Sequence, residues 1–340
     1  MAGTQSISFS ELIKERIFLS YDDAYKMQQA ILDGTINTGE LVNIFSAMEG
    51  RYPSVEEMNG IIAATRESMV RVPINENTLD IVGTGGDGLR TFNISTLASV
   101  VCAACNVPVV KHGSRSASSR CGSADVLEVL GVNIMLNPEQ AERCFEDIGI
   151  VFLFAQRFHP ALKNAAEARK QYGKKTYFNI LGPLVNPAGV SHQTLGVFGP
   201  EITSLMGEAS VKAGIKKLWA VRSNDGMDEI SLFSLPSVTE FSEKHTKGSN
   251  VNISYPLHKG NISEIQINDV DESKRIILAV LDNSATEVQM QTIVINAAIG
   301  LMTFGKANDL DSAKEIATEA IVSGKAKRKL KELIETSNRV

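Results

Sequence analysis

Two loops of this sequence carry the residue types that bind phosphate. The first, Gly83-Thr84-Gly85-Gly86-Asp87-Gly88, leads into Asn93-Ile94-Ser95-Thr96. Glycines permit positive φ and let backbone N–H groups approach an anion closely. The hydroxyl and amide side chains that follow open a helix, whose free N–H groups and positive dipole end face the same place. The spacing is neither a dinucleotide fingerprint nor a P-loop ending in Lys-Ser or Lys-Thr. The second loop, Lys111 to Ser123, combines three cations with five serines. Cations, hydroxyls and amides are what a diphosphate needs, and small residues leave room for it. Further on, the adjacent carboxylates of Asp228 and Glu229 follow the turn Asn224-Asp225-Gly226. Such a pair holds hard cations such as Mg²⁺, with waters and substrate phosphates completing the octahedron. Taken singly, these features also fit a plain glycine turn, a solvated basic loop and a surface acidic pair. Two anion-binding loops aimed at one sheet edge point instead to a phosphorylated ligand.

The elements that must position these loops are read from periodicity. Before residue 73 the chain predicts four short amphipathic helices. Phe9, Leu12, Ile13 and Ile17 share one face, and Ser20 with Asp23 caps a second helix that Gly34 ends. Leu41, Ile44, Phe45 and Met48 repeat the pattern, and Ser54 with Glu57 forms a capping box. Helices this short must pack together to bury their apolar faces, so a small bundle is expected, completed by a partner chain. From Pro73 onward, strands and helices alternate. Strands are expected at Leu79–Val82, Val107–Val110, Val132–Leu136, Ile150–Phe154, Thr194–Phe198 and Leu218–Val221. This alternation predicts an α/β domain with a mostly parallel central sheet, the ligand lying beyond the carboxyl ends of the strands. Residues 237–263 suggest an antiparallel excursion, and the end of the chain is helical again. The division expected is a small N-terminal helical bundle domain, 1–72, joined by part of 160–190, and a large α/β domain, 73–340.

The net charge of −5 argues against a nucleic-acid partner. No signal-like segment or bilayer-length apolar run is present, which predicts a cytoplasmic protein with no membrane partner. Cys102 and Cys105 form a Cys-x-x-Cys pair, but they share a helical stripe with Ile94, Leu97, Ala98 and Val101. A core-facing helix is therefore expected rather than a metal or redox site.

The strings GTGGDG at Gly83–Gly88, NIST at Asn93–Thr96, KHGSRSASSRCGSADVLEVLG at Lys111–Gly131, FNILGPLVNPA at Phe178–Ala188 and DGMDE at Asp225–Glu229 together resemble anthranilate phosphoribosyltransferases. The resemblance implies a nucleoside phosphorylase-like fold, a homodimer joined through the helical domain, and the substrates phosphoribosyl pyrophosphate and anthranilate. By that resemblance Gly83, Gly86, Asp87, Thr91 and Asn93, Ile94, Ser95 and Thr96 lie at the phosphoribosyl donor. Lys111, His112, Gly113, Arg115, Ser118, Ser119 and Ser123 would cover its phosphates. Ser95, Asp228 and Glu229 would hold Mg²⁺. Gly83, His112, Ser114, His159 and Arg169 would face the acceptor. No acid or base catalyst is singled out; Lys111 and Mg²⁺ would stabilise the transition state. Two positions depart from the family: Ser114 replaces its usual asparagine, and Arg222-Ser223 its usual His-Gly. A same-fold transferase with another aromatic acceptor, a pyrimidine nucleoside phosphorylase and a catalytically silent nucleic-acid-binding relative are the alternatives.

Overall fold

A computed structural model describes residues 8–115 and 121–340. The chain opens with four helices, α1 (Phe9–Arg16), α2 (Tyr21–Leu32), α3 (Thr38–Ala47) and α4 (Val55–Ser68). Their starts follow from side-chain caps: Ser8, Ser20, Asn37 and Ser54 each accept a hydrogen bond from the backbone N–H three residues on. Helices α2 and α4 pack closely because residue 60 is glycine. A Cβ there would meet the Tyr21 carbonyl oxygen at 2.3 Å. Ile17, expected on the buried face of α1, is instead its C-cap, with φ of 64° and its side chain exposed.

The α/β part runs β1 (Leu79–Gly83), α5 (Ile94–Ala104), β2 (Val109–Gly113), α6 (Ser123–Val129), α7 (Pro138–Ile148) and β3 (Ile150–Phe154). Short helices α8 (Ala155–Phe158), α9 (Ala166–Tyr172) and α10 (Phe178–Leu181) follow. Then come β4 (His192–Gly196), α11 (Pro200–Lys212), β5 (Lys217–Ser223), β6 (Pro236–Ser242) and β7 (Ser249–Val251). Four helices end the chain: α12 (Val270–Leu281), α13 (Glu287–Phe304), α14 (Leu310–Val322) and α15 (Lys325–Arg339). The sheet order is β3-β2-β1-β4-β5-β6-β7, parallel from β3 to β5 and antiparallel at β6 and β7. The antiparallel excursion is thus present where the sequence suggests it. The expected strand at Val132–Leu136 is absent. Val132, Ile134 and Leu136 are buried, but this segment pairs with no strand; Asn133 hydrogen-bonds Ser337 on α15 instead.

Strand order reverses at β1. The chain goes from β1 to β2 and β3 on one side, then returns to place β4 and β5 on the other. The loops leaving β1 and β4 therefore part at their carboxyl ends, the crevice where open α/β sheets take ligands. The α5 stripe packs inward as the periodicity predicts. Cys102 and Cys105 are buried thiols, and desolvation raises the pKa of each.

Between α9 and β4 the chain crosses from the bundle to the sheet. Phe45 of α3 meets the rings of Tyr172, Tyr177 and Phe178, and Tyr177 donates its hydroxyl to Gln28 at 2.7 Å.

Candidate functional site

The β1 and β4 ends approach each other through glycines. A Cβ on Gly83 would stand 2.5 Å from Asp228 Oδ2, and one on Gly196 would stand 1.8 Å from the Asp228 backbone oxygen. Only bare backbone at both positions lets the loop after β5 bring its carboxylates into the crevice. There the Gly85 N–H donates to Asp228 Oδ2 at 2.8 Å, and the Ser95 N–H donates to Glu229 Oε1 at 3.0 Å. The first donor belongs to the glycine loop and the second to the first turn of α5. Gly85, Gly86 and Gly88 all take positive φ, which glycine adopts without steric cost.

Asp228 is buried and Glu229 half-buried, with Asp87 close enough to repel them. Desolvation, reinforced by Asp87, pushes Asp228 up to about 7, and desolvation with the neighbouring carboxylates pushes Glu229 up as well. The pair flanks a cavity of about 20 Å³ that Gly83, Ser95, Gly196 and Asn296 also line. Lys111, buried beneath them, donates to the Ile81 carbonyl and to Ser95 Oγ at 3.4 Å. Burial lowers its pKa, opposed by Asp80 and Glu229. Hard oxygen donors crowded together and short of positive charge are a set that a divalent cation would complete. Ser223 holds this loop in place. Its hydroxyl donates to the Glu229 carbonyl at 2.9 Å and accepts from the Ser231 N–H at 2.9 Å.

Other expected donor residues take varied places. Gly113 stands so close to Ser123 that a Cβ would lie 2.1 Å from its hydroxyl oxygen. Asn93 ties the start of α5 to Cys121 and to α12: its amide donates to the Cys121 carbonyl at 3.2 Å, and its Oδ1 accepts from Ser273 at 2.7 Å. Thr96 is buried on α5 along with Ile94, and Thr91 bridges to Gln266. Arg115 does not point freely from its loop, because Asp125 and Glu128 on α6 hold its guanidinium at 2.8–3.0 Å. Ser114 is exposed beside it. Ser118 and Ser119 lie outside the described residues.

On the bundle side, His112 and His159 are buried with ring centroids 5.2 Å apart. His112 Nδ1 lies 3.2 Å from the Gly182 carbonyl, and His159 Nε2 lies 2.9 Å from the Val185 carbonyl. A carbonyl only accepts, so each ring carries its proton on that nitrogen. Burial keeps both rings neutral, His159 with a pKa lowered to about 4 and His112 well below its usual value. His112 Nε2 therefore keeps its lone pair and has no hydrogen-bond partner among the described residues. Arg169 is half-buried over the Phe178 ring at 5.3 Å. It enters none of the ion pairs among the described residues.

Three residues of the site are missed by sequence reasoning. Asp80 is a fully buried carboxylate in β1, Asn186 lies within FNILGPLVNPA, and Lys175 reaches across to the Gly86 carbonyl at 3.1 Å. A carboxylate inside the apolar run Leu79–Val82 is the one signal that could have been found.

Residues 75–327 match the glycosyl transferase family, α/β domain, so the class of protein is a glycosyl-transferring enzyme. The anthranilate phosphoribosyltransferase of Petrotoga mobilis is 39% identical over 322 residues, spanning 94% of this chain and 93% of that one. A crystal structure of the Thermus thermophilus anthranilate phosphoribosyltransferase superimposes with a TM-score of 0.88 at 31% identity, covering 98% of this chain and 100% of that one. The Saccharomyces cerevisiae enzyme, in complex with PRPP and Mg, shares the fold with a TM-score of 0.83 at 24% identity, covering 95% of this chain and 94% of that one. The chain belongs to the anthranilate phosphoribosyltransferase family.

Proposed function

We propose that this enzyme transfers the phosphoribosyl group of phosphoribosyl pyrophosphate to the amino group of anthranilate, with Mg²⁺ held by Asp228, Glu229 and Ser95. The observation that carries this reading is the Asp228–Glu229 pair, fastened to the glycine loop on one side and to the start of α5 on the other. When bound, the metal would supply charge that offsets repulsion between these carboxylates and the diphosphate. Backbone N–H groups of the glycine loop and of α5 bind the donor's phosphates, and Lys111 places a cation beneath them. The bond from the anomeric carbon to the pyrophosphate oxygen breaks, its electron pair leaving with pyrophosphate. The amine lone pair then forms the new C–N bond at a centre of oxocarbenium character, by analogy with glycoside cleavage.

On the acceptor side, Arg169 matches a carboxylate with two parallel hydrogen bonds, and burial strengthens them. His112 offers its Nε2 lone pair to an amine N–H. An aromatic amine is neutral at pH 7, so the residues need only accept a proton after attack. We assign α1–α4 with the crossing segment 160–181 to the acceptor half and the sheet domain to the donor half, so that transfer requires both to hold their substrates in register.

The test is calorimetry of phosphoribosyl pyrophosphate with and without Mg²⁺, on the wild type and on Asp228→Asn/Glu229→Gln. Mg²⁺ should tighten donor binding by at least about tenfold in the wild type and leave the double variant unchanged. The variant should melt no lower than the wild type, because desolvation and mutual repulsion already disfavour the charged form of both carboxylates. An equal Mg²⁺ response in both proteins would refute the metal assignment.

A further inference from the structure

One stretch of the crossing segment, Gly182–Pro187, gathers hydrogen bonds from both the helical bundle and the sheet. Four consecutive carbonyls each accept from a different side chain. Gly182 faces His112 Nδ1 at 3.2 Å, and Pro183 accepts from Gln193 Nε2 at 2.7 Å. Leu184 accepts from Arg66 at 3.1 Å, and Val185 faces His159 Nε2 at 2.9 Å. These four side chains come from β2, β4, α4 and the turn after α8. The segment is neither helix long enough nor strand to satisfy these carbonyls itself, and its prolines bring no N–H of their own.

The stretch is pinned to the sheet at one point. Asn186 Nδ2 donates to Asp80 Oδ2 at 2.9 Å and to the Val110 carbonyl at 3.0 Å, while its Oδ1 accepts from the Ala188 N–H at 3.0 Å. Asp80 Oδ1 in turn accepts from the His112 N–H at 3.4 Å. Both side chains are buried, Asp80 fully. A carboxylate placed inside an apolar strand is costly unless it is paired, and this one is met by an amide, a backbone N–H and the charge of Lys111.

We propose that Asp80 and Asn186 are positioning residues for transfer: their hydrogen bond fixes Gly182–Pro187 on β1 and β2, and its carbonyls thereby set the tautomer and direction of His112 and His159. Lys111 and His112 are neighbours on β2, so one pin sets both the cation under the donor and the ring beside the acceptor. The inference rests on the proposed placing of the two histidines on the acceptor side. Neither residue touches substrate in this account. Their effect passes through the histidine rings.

The experiment uses Asn186→Leu, similar in volume and without a donor, with Asp80→Val and Asp80→Asn. Asn186→Leu should raise the anthranilate KM about ten- to a hundred-fold, since small misplacements of a reacting group are costly. Donor affinity by calorimetry should stay within about threefold. Asp80→Asn still accepts from the Asn186 amide and should raise the KM less than Asp80→Val does. ¹⁵N-histidine NMR reads the rings without turnover. Wild type should show two fixed neutral tautomers, protonated on Nδ1 of His112 and Nε2 of His159, and Asn186→Leu should show tautomer exchange. Should Asn186→Leu not fold, Asn186→Ala asks the same question. Unchanged tautomers in a folded variant, or equal losses for donor and acceptor, would overturn the proposal. Absence of anthranilate turnover in the wild type would overturn the function instead, leaving the NMR result to judge the pin.

Discussion

His159 is kept neutral by burial, its pKa lowered to about 4, with its proton on the nitrogen facing the Val185 carbonyl. The unfolded chain returns it to about 6.5, so between those values the unfolded state binds more protons. The stability tied to His159 is therefore complete above pH 6.5 and is lost as pH falls towards 4. Asp80, raised to about 6, and Asp228, raised to about 7, act in the opposite sense. Each acid gains a proton more easily when folded, so its contribution declines as pH rises from the ordinary carboxylate range. The wild-type profile mixes these effects, and a difference separates them. His159→Gln keeps an amide donor for Val185 but cannot titrate. Urea denaturation should show the stability of wild type relative to this variant dropping by about 3 kcal/mol between pH 7 and 4. A flat difference would mean that His159 titrates in the folded protein as it does in the unfolded chain. Among the proposed site residues, the glycines after β1 and the Asp228–Glu229 pair are legible in the sequence because their types announce their chemistry. Asp80 and Asn186 are not, because their roles come from a contact across 106 positions of chain.

Strand ends, rather than single side chains, make the proposed metal site. β1 and β4 are adjacent and parallel, with Gly83 in register with Gly196, and the loop after β5 closes over both. Gly196→Ala would drive a Cβ into the Asp228 backbone oxygen, at 1.8 Å, and backbone cannot move aside cheaply. The variant should lose about 1–3 kcal/mol of stability and most Mg²⁺ binding. A thermal melt with a Mg²⁺ titration reads both, and normal Mg²⁺ affinity would show that the glycine pair does not shape the site. The alternating pattern gave β1, β3, β4 and β5 with small shifts of boundary. It misread Val132–Leu136, since a buried apolar run packed on α15 looks the same as one paired in a sheet. Periodicity reports burial and says nothing of what supplies the hydrogen bonds.

For the whole molecule, the helical bundle leaves apolar side chains uncovered where α1 meets α2. Ile17 is 65% and Phe18 47% exposed, and Tyr21 and Tyr52 are exposed nearby, with Arg51 lying over the Phe18 ring. The proposed homodimer would cover this patch. Phe18→Glu with Ile17→Glu should convert a dimer to monomer in sedimentation velocity while leaving the melt nearly unchanged. A wild type that sediments as a monomer at micromolar concentration would remove the dimer from the account. No helix among the described residues is long and apolar enough to cross a membrane.

The central claim is that the crevice between β1 and β4 activates a phosphoribosyl donor for attack by anthranilate. It is tested most directly by following anthranilate fluorescence with the purified protein, phosphoribosyl pyrophosphate and Mg²⁺. The account predicts that the signal falls with one pyrophosphate released per anthranilate consumed, that it stays constant when either the donor or Mg²⁺ is omitted, and that Asp228→Asn/Glu229→Gln nearly abolishes the change. Steady fluorescence with all components present would contradict it, as would consumption that proceeds equally well without the donor.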